Sequence, residues 1–193
     1  IKAYYFEETE IYEEYYVDPR EVNLTFPEEK RNLIYLYLES MKTSYASQEV
    51  GGVKSENLIP HLTQLALNEG VHFSHQTGLG GFYQVPGANQ TASAMVAQTS
   101  GLPLRASGGD LDVNFYGQDG SNFFPGAYSL GEVLKSQGFN QMLFIGSSKD
   151  FAGRGKYFTQ HGNYDIRDVY WAREQGLIPE DYWEWWGYED RKL

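Results

Sequence analysis

The first strongly hydrophobic stretch of the chain is residues 31–40, RNLIYLYLES, and it stops at an acid, Glu39. Leucine, isoleucine and tyrosine follow one another without a polar interruption, which is typical of a strand covered on both faces in a parallel sheet. In open α/β sheets, ligands bind outside the carboxyl ends of such strands. Glu39 is therefore a candidate metal ligand. The alternative is an acid that caps the next helix or pairs with a base.

Helical and strand patterns continue along the chain. Residues 57–69 carry apolar side chains at helical spacing and predict a helix. The small-residue run TASAMVAQTSG predicts a helix that begins at Thr91 and ends at Gly101. Ser129 is placed to cap a short helix, LGEVLKSQG. A second apolar run, NQMLFIG at residues 140–146, predicts another strand with a loop at its carboxyl end.

Three further segments lack this regular pattern. Residues 1–30 mix tyrosines with acids and predict an extended acidic linker ahead of a domain at residues 31–193. Residues 105–127 are rich in glycine and predict a long loop. The closing sequence DYWEWWGYEDRKL is aromatic and amphipathic. Because exposed tryptophans make an adhesive surface, we expect its three tryptophans to pack against other residues.

Composition narrows the class of protein. The 193 residues are 41% hydrophobic and 16% aromatic, which favours a folded globular protein of one domain or most of one. The 26 acidic and 15 basic side chains give a net charge of −11, which disfavours nucleic acid as a partner. An anionic substrate would need local cations or a metal. The chain has no cysteine, which excludes disulfides and thiolate metal sites, and no apolar run of about 18 residues, so we expect it to be soluble as it stands.

Three elements together describe a phosphoryl-transfer site: Glu39, Thr91, and a basic loop with Lys149, Arg154 and Lys156. A hydroxyl at a helix N-terminus gains from the helix dipole, which favours any phosphate that it comes to carry. A divalent ion held by Glu39 would lower the pKa of that hydroxyl further. Arg154 offers a planar fork to phosphate oxygens. The alternatives are a plain N-cap for Thr91 and a surface salt bridge for Arg154.

Several motifs carry a family resemblance: NLIYLYLES, SHQTGLGGFYQVPGANQTASAMVAQTSGLPL, FFPGAYSLGEVLKSQGFNQMLFIGSSKDFAGRGKYFTQHG and WWGYEDRKL. From about residue 31 to its end the chain resembles the lipoteichoic acid synthase and phosphoglycerol transferase branch of the sulfatase and alkaline phosphatase superfamily. The resemblance implies an α/β, alkaline phosphatase-like fold with a mixed, mostly parallel sheet and flanking helices. It also implies a membrane-anchored parent protein whose catalytic domain lies at the extracytoplasmic face of the cell membrane.

The same resemblance implies a reaction and its residues. Glycerol phosphate moves from a phosphatidylglycerol-type lipid donor to a threonine, and then to a glycan or teichoic acid acceptor. By position, Glu39 matches a metal ligand, Thr91 matches the nucleophile and a second metal ligand, and Arg154 matches an arginine that contacts the phosphoglycerol group. Manganese is the implied ion, with magnesium or zinc as alternatives. His75 matches a histidine of the synthase branch, and we interpret it as a hydrogen-bonded structural residue.

The chain departs from the family pattern in three respects. Ala152 replaces a tryptophan and Ile145 replaces a histidine, so the glycerol pocket is expected to differ in shape. The aspartate–histidine pair that completes the family's metal site does not occur in the sequence. We therefore expect the first half of a catalytic domain, inactive and weak in metal binding by itself, with membrane contact through a missing N-terminal region. An exposed sheet edge would allow association with another chain.

Other functions fit parts of the same pattern. A phosphoethanolamine transferase would use a threonine in the same way, and another hydrolase of the sulfatase superfamily could share the scaffold. A sulfatase normally needs a cysteine or serine in place of Thr91, which disfavours sulfate ester hydrolysis. A noncatalytic fragment that binds a glycan or a lipid headgroup, with tyrosines and tryptophans as stacking surfaces, is the alternative outside the enzymes.

Overall fold

A computed structural model describes the chain over residues 10–83, 85–104 and 122–193. The chain divides into two compact units: a larger one from the segments before residue 31 and after residue 85, and a smaller one from residues 31–85. The predicted domain boundary at residue 30 stays a prediction. Most of the predicted long loop, residues 105–121, lies outside the described residues.

Short helices dominate the described residues. The α-helices are α1 (Ile11–Tyr15), α2 (Pro60–Gln64), α3 (Thr91–Ser100), α4 (Leu130–Ser136), α5 (Arg154–Gln160) and α6 (Val169–Glu174). A π-helical turn, Leu65–Glu69, continues α2, and single 3-10 turns occur at Pro19–Glu21, Thr43–Tyr45, Gln48–Val50 and Phe151–Gly153. None of the helices in the described ranges is both long and apolar enough to cross a membrane.

The helices predicted from local signals are confirmed. Helix α3 begins at Thr91, as expected, and stops where Gly101 takes a left-handed conformation with φ of 72°. The Oγ of Ser129 accepts hydrogen bonds from the N–H groups of Gly131 (3.1 Å) and Glu132 (3.4 Å) and so caps α4. The Glu132 carboxylate accepts in return from the N–H of Ser129 at 2.8 Å, which completes a capping box.

A small parallel sheet places the fold in the α/β class. Strand β1 (Met142–Phe144) pairs in parallel with β2 (Asp165–Arg167), with Leu143 opposite Ile166. Helix α5 connects the two strands, which makes a βαβ unit and confirms the strand predicted within residues 140–146. The larger mixed sheet of an alkaline phosphatase-like fold stays a prediction.

The buried strand predicted at residues 31–40 is wrong for this structure. No strand is assigned there, and the side chains of Ile34 and Leu36 are 89% and 71% exposed. A strand needs a neighbour that accepts and donates its backbone hydrogen bonds, and the sheet of the described residues consists of β1 and β2 alone. The apolar pattern of residues 31–40 is typical of a buried strand, but an apolar pattern does not provide the neighbouring strand that pairing requires.

The core of the larger unit joins α3 to α5. Met95 and Val96 of α3 are buried, as are Tyr157 and Phe158 of α5. The Thr99 hydroxyl lies 2.8 Å from the Tyr157 hydroxyl, which links the two helices by a buried hydrogen bond. This contact fixes the helix that begins at Thr91 against the helix that begins at Arg154.

Burial of Tyr157 makes the stability of the folded protein depend on pH. Burial raises the pKa of the Tyr157 hydroxyl from an ordinary value of 10.0 to about 12. The folded protein therefore keeps a proton that the unfolded chain releases. The contribution of Tyr157 to the free energy of unfolding is complete below pH 10 and falls as the pH rises towards 12. The loss is on the order of 2 kcal/mol. Denaturant unfolding of the protein and of Tyr157→Phe between about pH 9 and pH 12 should show a shallower decline for the variant; parallel declines would contradict this origin.

A buried carboxylate, Asp168, ties the loop after β1 to the helix after β2. Its side chain accepts hydrogen bonds from the N–H groups of Tyr170 (3.2 Å) and Trp171 (3.1 Å), which caps α6. The other carboxylate oxygen accepts from the N–H of Lys149 at 3.0 Å. Asp168 is 2% exposed, and these three donors satisfy it.

The expectation that the three terminal tryptophans pack against other residues is confirmed only in part. The Trp186 ring lies 6.2 Å from the Phe151 ring and the Arg173 guanidinium lies 5.4 Å from the Trp183 ring, but all three indoles stay largely exposed. Trp183, Trp185 and Trp186 are 50%, 83% and 66% exposed. The chain turns sharply at this point, and the turn carries the indoles outward. Tyr188, just beyond the turn, enters the cluster of buried residues around Val169, and Tyr182, before the turn, packs against that cluster.

Candidate active site

Thr91 is the first residue of α3 and is partly exposed. The residue before it, Gln90, is the N-cap, and the Gln90 N–H donates to the Ser93 Oγ at 3.1 Å. The alternative that Thr91 is itself a plain N-cap is therefore wrong. Its hydroxyl stands at the positive end of a ten-residue helix, where the dipole favours an oxyanion or a bound phosphate.

Arg154 is the first residue of α5 and is only 6% exposed, so the alternative of a surface salt bridge is wrong. One terminal nitrogen of the guanidinium, Nη2, donates to the Ser147 Oγ (2.8 Å) and the Ser148 carbonyl (2.7 Å). Nε donates to the Phe151 carbonyl at 3.2 Å. The Arg154 side chain therefore fixes the backbone of the loop after β1 through three hydrogen bonds. The sequence predicted only phosphate binding for this residue.

Two lysines line a cavity next to this loop. A cavity of about 400 Å³ lies beside α5. Its lining includes Lys149, Asp150, Gly155 and Lys156. In a chain of net charge −11, Lys149, Lys156 and the buried Arg154 outnumber the acids Asp150 and Asp168 at this loop, which leaves a small local excess of positive charge.

Glu39 lies in a turn of the smaller unit and is exposed. The turn is closed by a hydrogen bond from the Met41 N–H to the Leu38 carbonyl, and Ser40 has a positive φ of 58°. The next helical turn is capped at Lys42, so Glu39 does not cap a helix. The larger unit contains Thr91 and Arg154, so these two predicted site residues share a unit and Glu39 belongs to the other.

The two predicted metal ligands are of the chemical type that binds a hard divalent cation. The Glu39 carboxylate and the Thr91 hydroxyl are oxygen ligands of the type that manganese and magnesium prefer. Two protein donors are fewer than such ions usually take, and within residues 10–83, 85–104 and 122–193 no cluster of three or more His, Cys, Asp or Glu could hold a metal. His75 is exposed and stacks on Tyr83, with ring centroids 6.0 Å apart, and its interpretation as a hydrogen-bonded structural residue stays a prediction.

Two residues near the site were not identified from the sequence. Asp168 orders the backbone at Lys149, and the Phe151 ring lies 5.3 Å from the Arg154 guanidinium carbon. An aspartate just before an apolar helical run is a recognisable N-cap signal, so the capping role of Asp168 could have been predicted. Its contact with a loop 19 residues away could not.

Comparison with known proteins gives one consistent result. The chain is 34% identical over 179 residues to phosphoglycerol transferase I of Salmonella choleraesuis (strain SC-B67) and 33% identical over 179 residues to phosphoglycerol transferase I of Escherichia coli O127:H6. In both cases the match covers 91% of this chain and 21% of the relative, so the chain spans about a fifth of the relatives' length. No family model matches the chain. No solved structure matches it either.

These matches confirm the predicted resemblance to phosphoglycerol transferases, while the sulfatase and alkaline phosphatase superfamily stays a prediction. Identity at this level over nearly the whole chain, in two relatives of the same name, does not arise from one short pattern. Over 91% of its length, the chain is similar to a segment of phosphoglycerol transferase I.

Proposed function

We propose that this chain is part of an enzyme that transfers glycerol phosphate from a phosphatidylglycerol-type lipid to a hydroxyl of a glycan or teichoic acid acceptor at the extracytoplasmic face of the cell membrane. The observation that carries this proposal is the similarity to phosphoglycerol transferase I over 91% of the chain. The chain by itself supplies only part of the site, and activity is expected of the full-length gene product.

In the proposed reaction Thr91 is the nucleophile. Its Oγ1 loses its proton and attacks the phosphorus of the donor, a bond forms between that oxygen and phosphorus, and the bond from phosphorus to the diacylglycerol oxygen breaks. The diacylglycerol oxygen takes up a proton as it leaves. A hydroxyl of the acceptor then loses its proton and attacks the same phosphorus, the bond from phosphorus to Oγ1 breaks, and Oγ1 takes up a proton, which returns Thr91 to its starting state. The position of Thr91 at the start of α3 supports this role, because the helix dipole favours the negative charge of the intermediate.

The loop after β1 is the proposed phosphate side of the site. Lys149 and Lys156 supply positive charge next to it, which an anionic headgroup needs in an acidic protein. Arg154 is proposed to act chiefly by fixing this loop through Ser147 and Ser148. A direct contact with the phosphoglycerol group, as the family resemblance implies, remains part of the proposal.

A divalent cation, manganese by resemblance, is proposed to bind Glu39 and Thr91 together with ligands from outside this chain. When bound, it would supply Lewis-acid stabilisation of the threonine oxygen and the phosphate. The hard oxygen donors support this assignment, and magnesium or zinc are its alternatives.

A comparison of two lipids as headgroup donors tests the proposal. Purified full-length protein in detergent should release diacylglycerol from phosphatidylglycerol and pass the headgroup to an acceptor, with far slower turnover of phosphatidylethanolamine. Phosphatidylethanolamine as the preferred donor would favour a phosphoethanolamine transferase. No release from either lipid, with binding of a headgroup or a glycan retained, would favour the noncatalytic alternative.

A further inference from the structure

A large apolar cavity, the arm cavity, lies between residues 10–30, the arm, and the helices α3 and α4. Its volume is about 760 Å³, and most of its lining is aliphatic or aromatic. All of these residues belong to the larger unit. Protein interiors leave few voids larger than a water molecule, whereas pockets for small molecules have volumes of about 300–1,000 Å³. The arm cavity therefore has the size and character of a ligand site, and the proposed chemistry does not use it.

Helix α4 and the end of α3 contribute apolar walls. Leu130, Val133 and Leu134 of α4 have the spacing of one helix face, line the cavity and are half-buried. In the α3 wall, the hydroxyls of Thr99 and Ser100 donate to backbone carbonyls of their own helix at 2.7 and 2.8 Å. These two polar side chains are thus already hydrogen-bonded, and the walls favour a hydrocarbon occupant.

The arm is attached to the rest of the larger unit at two points. The Arg20 guanidinium lies 5.5 Å from the Tyr128 ring. Further along, the Phe26 ring lies 6.3 Å from the Phe139 ring, and the Lys30 ammonium lies 5.5 Å from the same ring. The arm is therefore held in place without filling the cavity next to it.

Charge on the arm selects the headgroup of an occupant. Glu13, Glu14 and Glu21 are exposed in the part of the arm that lines the cavity. The nearby base, Arg20, is already paired with Asp18. An anionic headgroup would be repelled there, whereas an uncharged one would not. The arm cavity therefore fits a neutral lipid.

Helix α3 sets the distance from the cavity to the proposed nucleophile. Thr91 is its first residue and Ser100, which lines the cavity, is its last. A helix of ten residues is about 15 Å long. An acyl chain spans half of a hydrocarbon core about 30 Å thick, which is also about 15 Å. A lipid that leaves the phosphorus near Thr91 can therefore reach the cavity with one acyl chain.

We propose that the arm cavity binds one acyl chain of diacylglycerol, the lipid that leaves when the headgroup moves to Thr91. This rests on the proposed function, and it adds a site for the leaving lipid. The hydroxyls of Tyr12 and Tyr16, whose side chains also line the cavity, are donors of the kind that ester carbonyls accept. Binding of the leaving lipid there clears Thr91 for the acceptor.

Photocrosslinking locates the chain. Diacylglycerol with a diazirine at the end of one acyl chain is irradiated with the full-length protein in detergent, and crosslinked peptides are identified by mass spectrometry. Crosslinks are expected on peptides from the arm or from α4, and unlabelled diacylglycerol should remove them. Monopalmitoylglycerol should compete, and palmitate, which has the same chain and a negative charge, should compete about tenfold more weakly.

Bulky substitutions on opposite sides should close the cavity. Val133→Trp places a large ring there from α4, and Val17→Trp does so from the arm, where the valine is 65% exposed. Each should lower crosslinking about tenfold and weaken the inhibition of transfer by added diacylglycerol to a similar extent. Leu177→Trp, at an exposed leucine outside the cavity, should behave as the unaltered protein does. If Val133→Trp does not fold, Val17→Trp decides the result.

The outcomes separate the lipid site from the proposed function. Crosslinks confined to other peptides, or crosslinking and inhibition unchanged in Val17→Trp, would overturn the proposal. Palmitate as effective as monopalmitoylglycerol would also overturn it, because the occupant would not be selected for a neutral headgroup. Crosslinking at the cavity in a protein that releases no diacylglycerol from phosphatidylglycerol would reject the proposed function and leave the lipid site in place.

Discussion

Thr91→Ala in the full-length protein should lower glycerol phosphate transfer by at least about 10³-fold, because the variant has no oxygen to attack the phosphorus. The unfolding midpoint should change little, since Thr91 is partly exposed and α3 is capped through Gln90 and Ser93. Diacylglycerol release from phosphatidylglycerol measures the first half of the reaction, and transfer to acceptor measures the whole. Both should fall together, because both require the phosphothreonine.

Thr25→Ala is the matched control. Thr25 is an exposed threonine of the larger unit, so its loss removes the same atoms from the surface of the same unit. We expect transfer within about twofold of the unaltered protein, as for most surface substitutions. Transfer by Thr91→Ala at the rate of this control would contradict the role of Thr91.

Arg154→Lys should have the second largest effect among the substitutions, and it should lower the stability of the protein as well as its transfer activity. Lysine cannot reach the Ser147 hydroxyl and the Ser148 and Phe151 carbonyls as a planar fork does, so these partly buried acceptors lose their donors. We expect the free energy of unfolding to fall by about 2–4 kcal/mol and transfer to fall at least about tenfold. Denaturant unfolding and the transfer assay on the same preparation give both values.

Arg167→Lys provides the comparison. Arg167 pairs with Asp165 near the surface, where the arginine is 30% exposed and the acid 55%, and its guanidinium lies 4.7 Å from the Trp171 ring, so its replacement should cost about 1 kcal/mol. If Arg154→Lys unfolds like Arg167→Lys yet loses transfer, Arg154 acts by contact with the phosphoglycerol group instead of through the loop. If neither stability nor transfer changes, both roles are wrong.

The features that sequence predicted correctly are those with local causes. The small residues of α3 and the glycine after it set both ends of the helix, and the capping box of Ser129 and Glu132 needs only four consecutive residues. The strand β1 was recognised because its apolar run is short and bounded by polar residues. Thr91 at the start of α3 follows from the same local signals.

The features that sequence missed depend on distant neighbours. Residues 31–40 have the composition of a buried strand, but strand formation needs a paired chain, which composition does not provide. The burial of Arg154 depends on carbonyls of the preceding loop, and a basic residue in a polar loop normally points to solvent. The outward direction of Trp185 follows from a backbone angle that its side chain disfavours, which no propensity predicts.

The covalent intermediate is the most direct test of the central claim. Full-length protein is mixed with phosphatidylglycerol without acceptor, quenched in acid, digested, and its peptides are identified by mass spectrometry. We expect one added glycerol phosphate on the peptide that contains Thr91, lost when acceptor is added and absent from Thr91→Ala. Transfer to acceptor with no adduct on any peptide, or an adduct on a different residue that persists in Thr91→Ala, would contradict it.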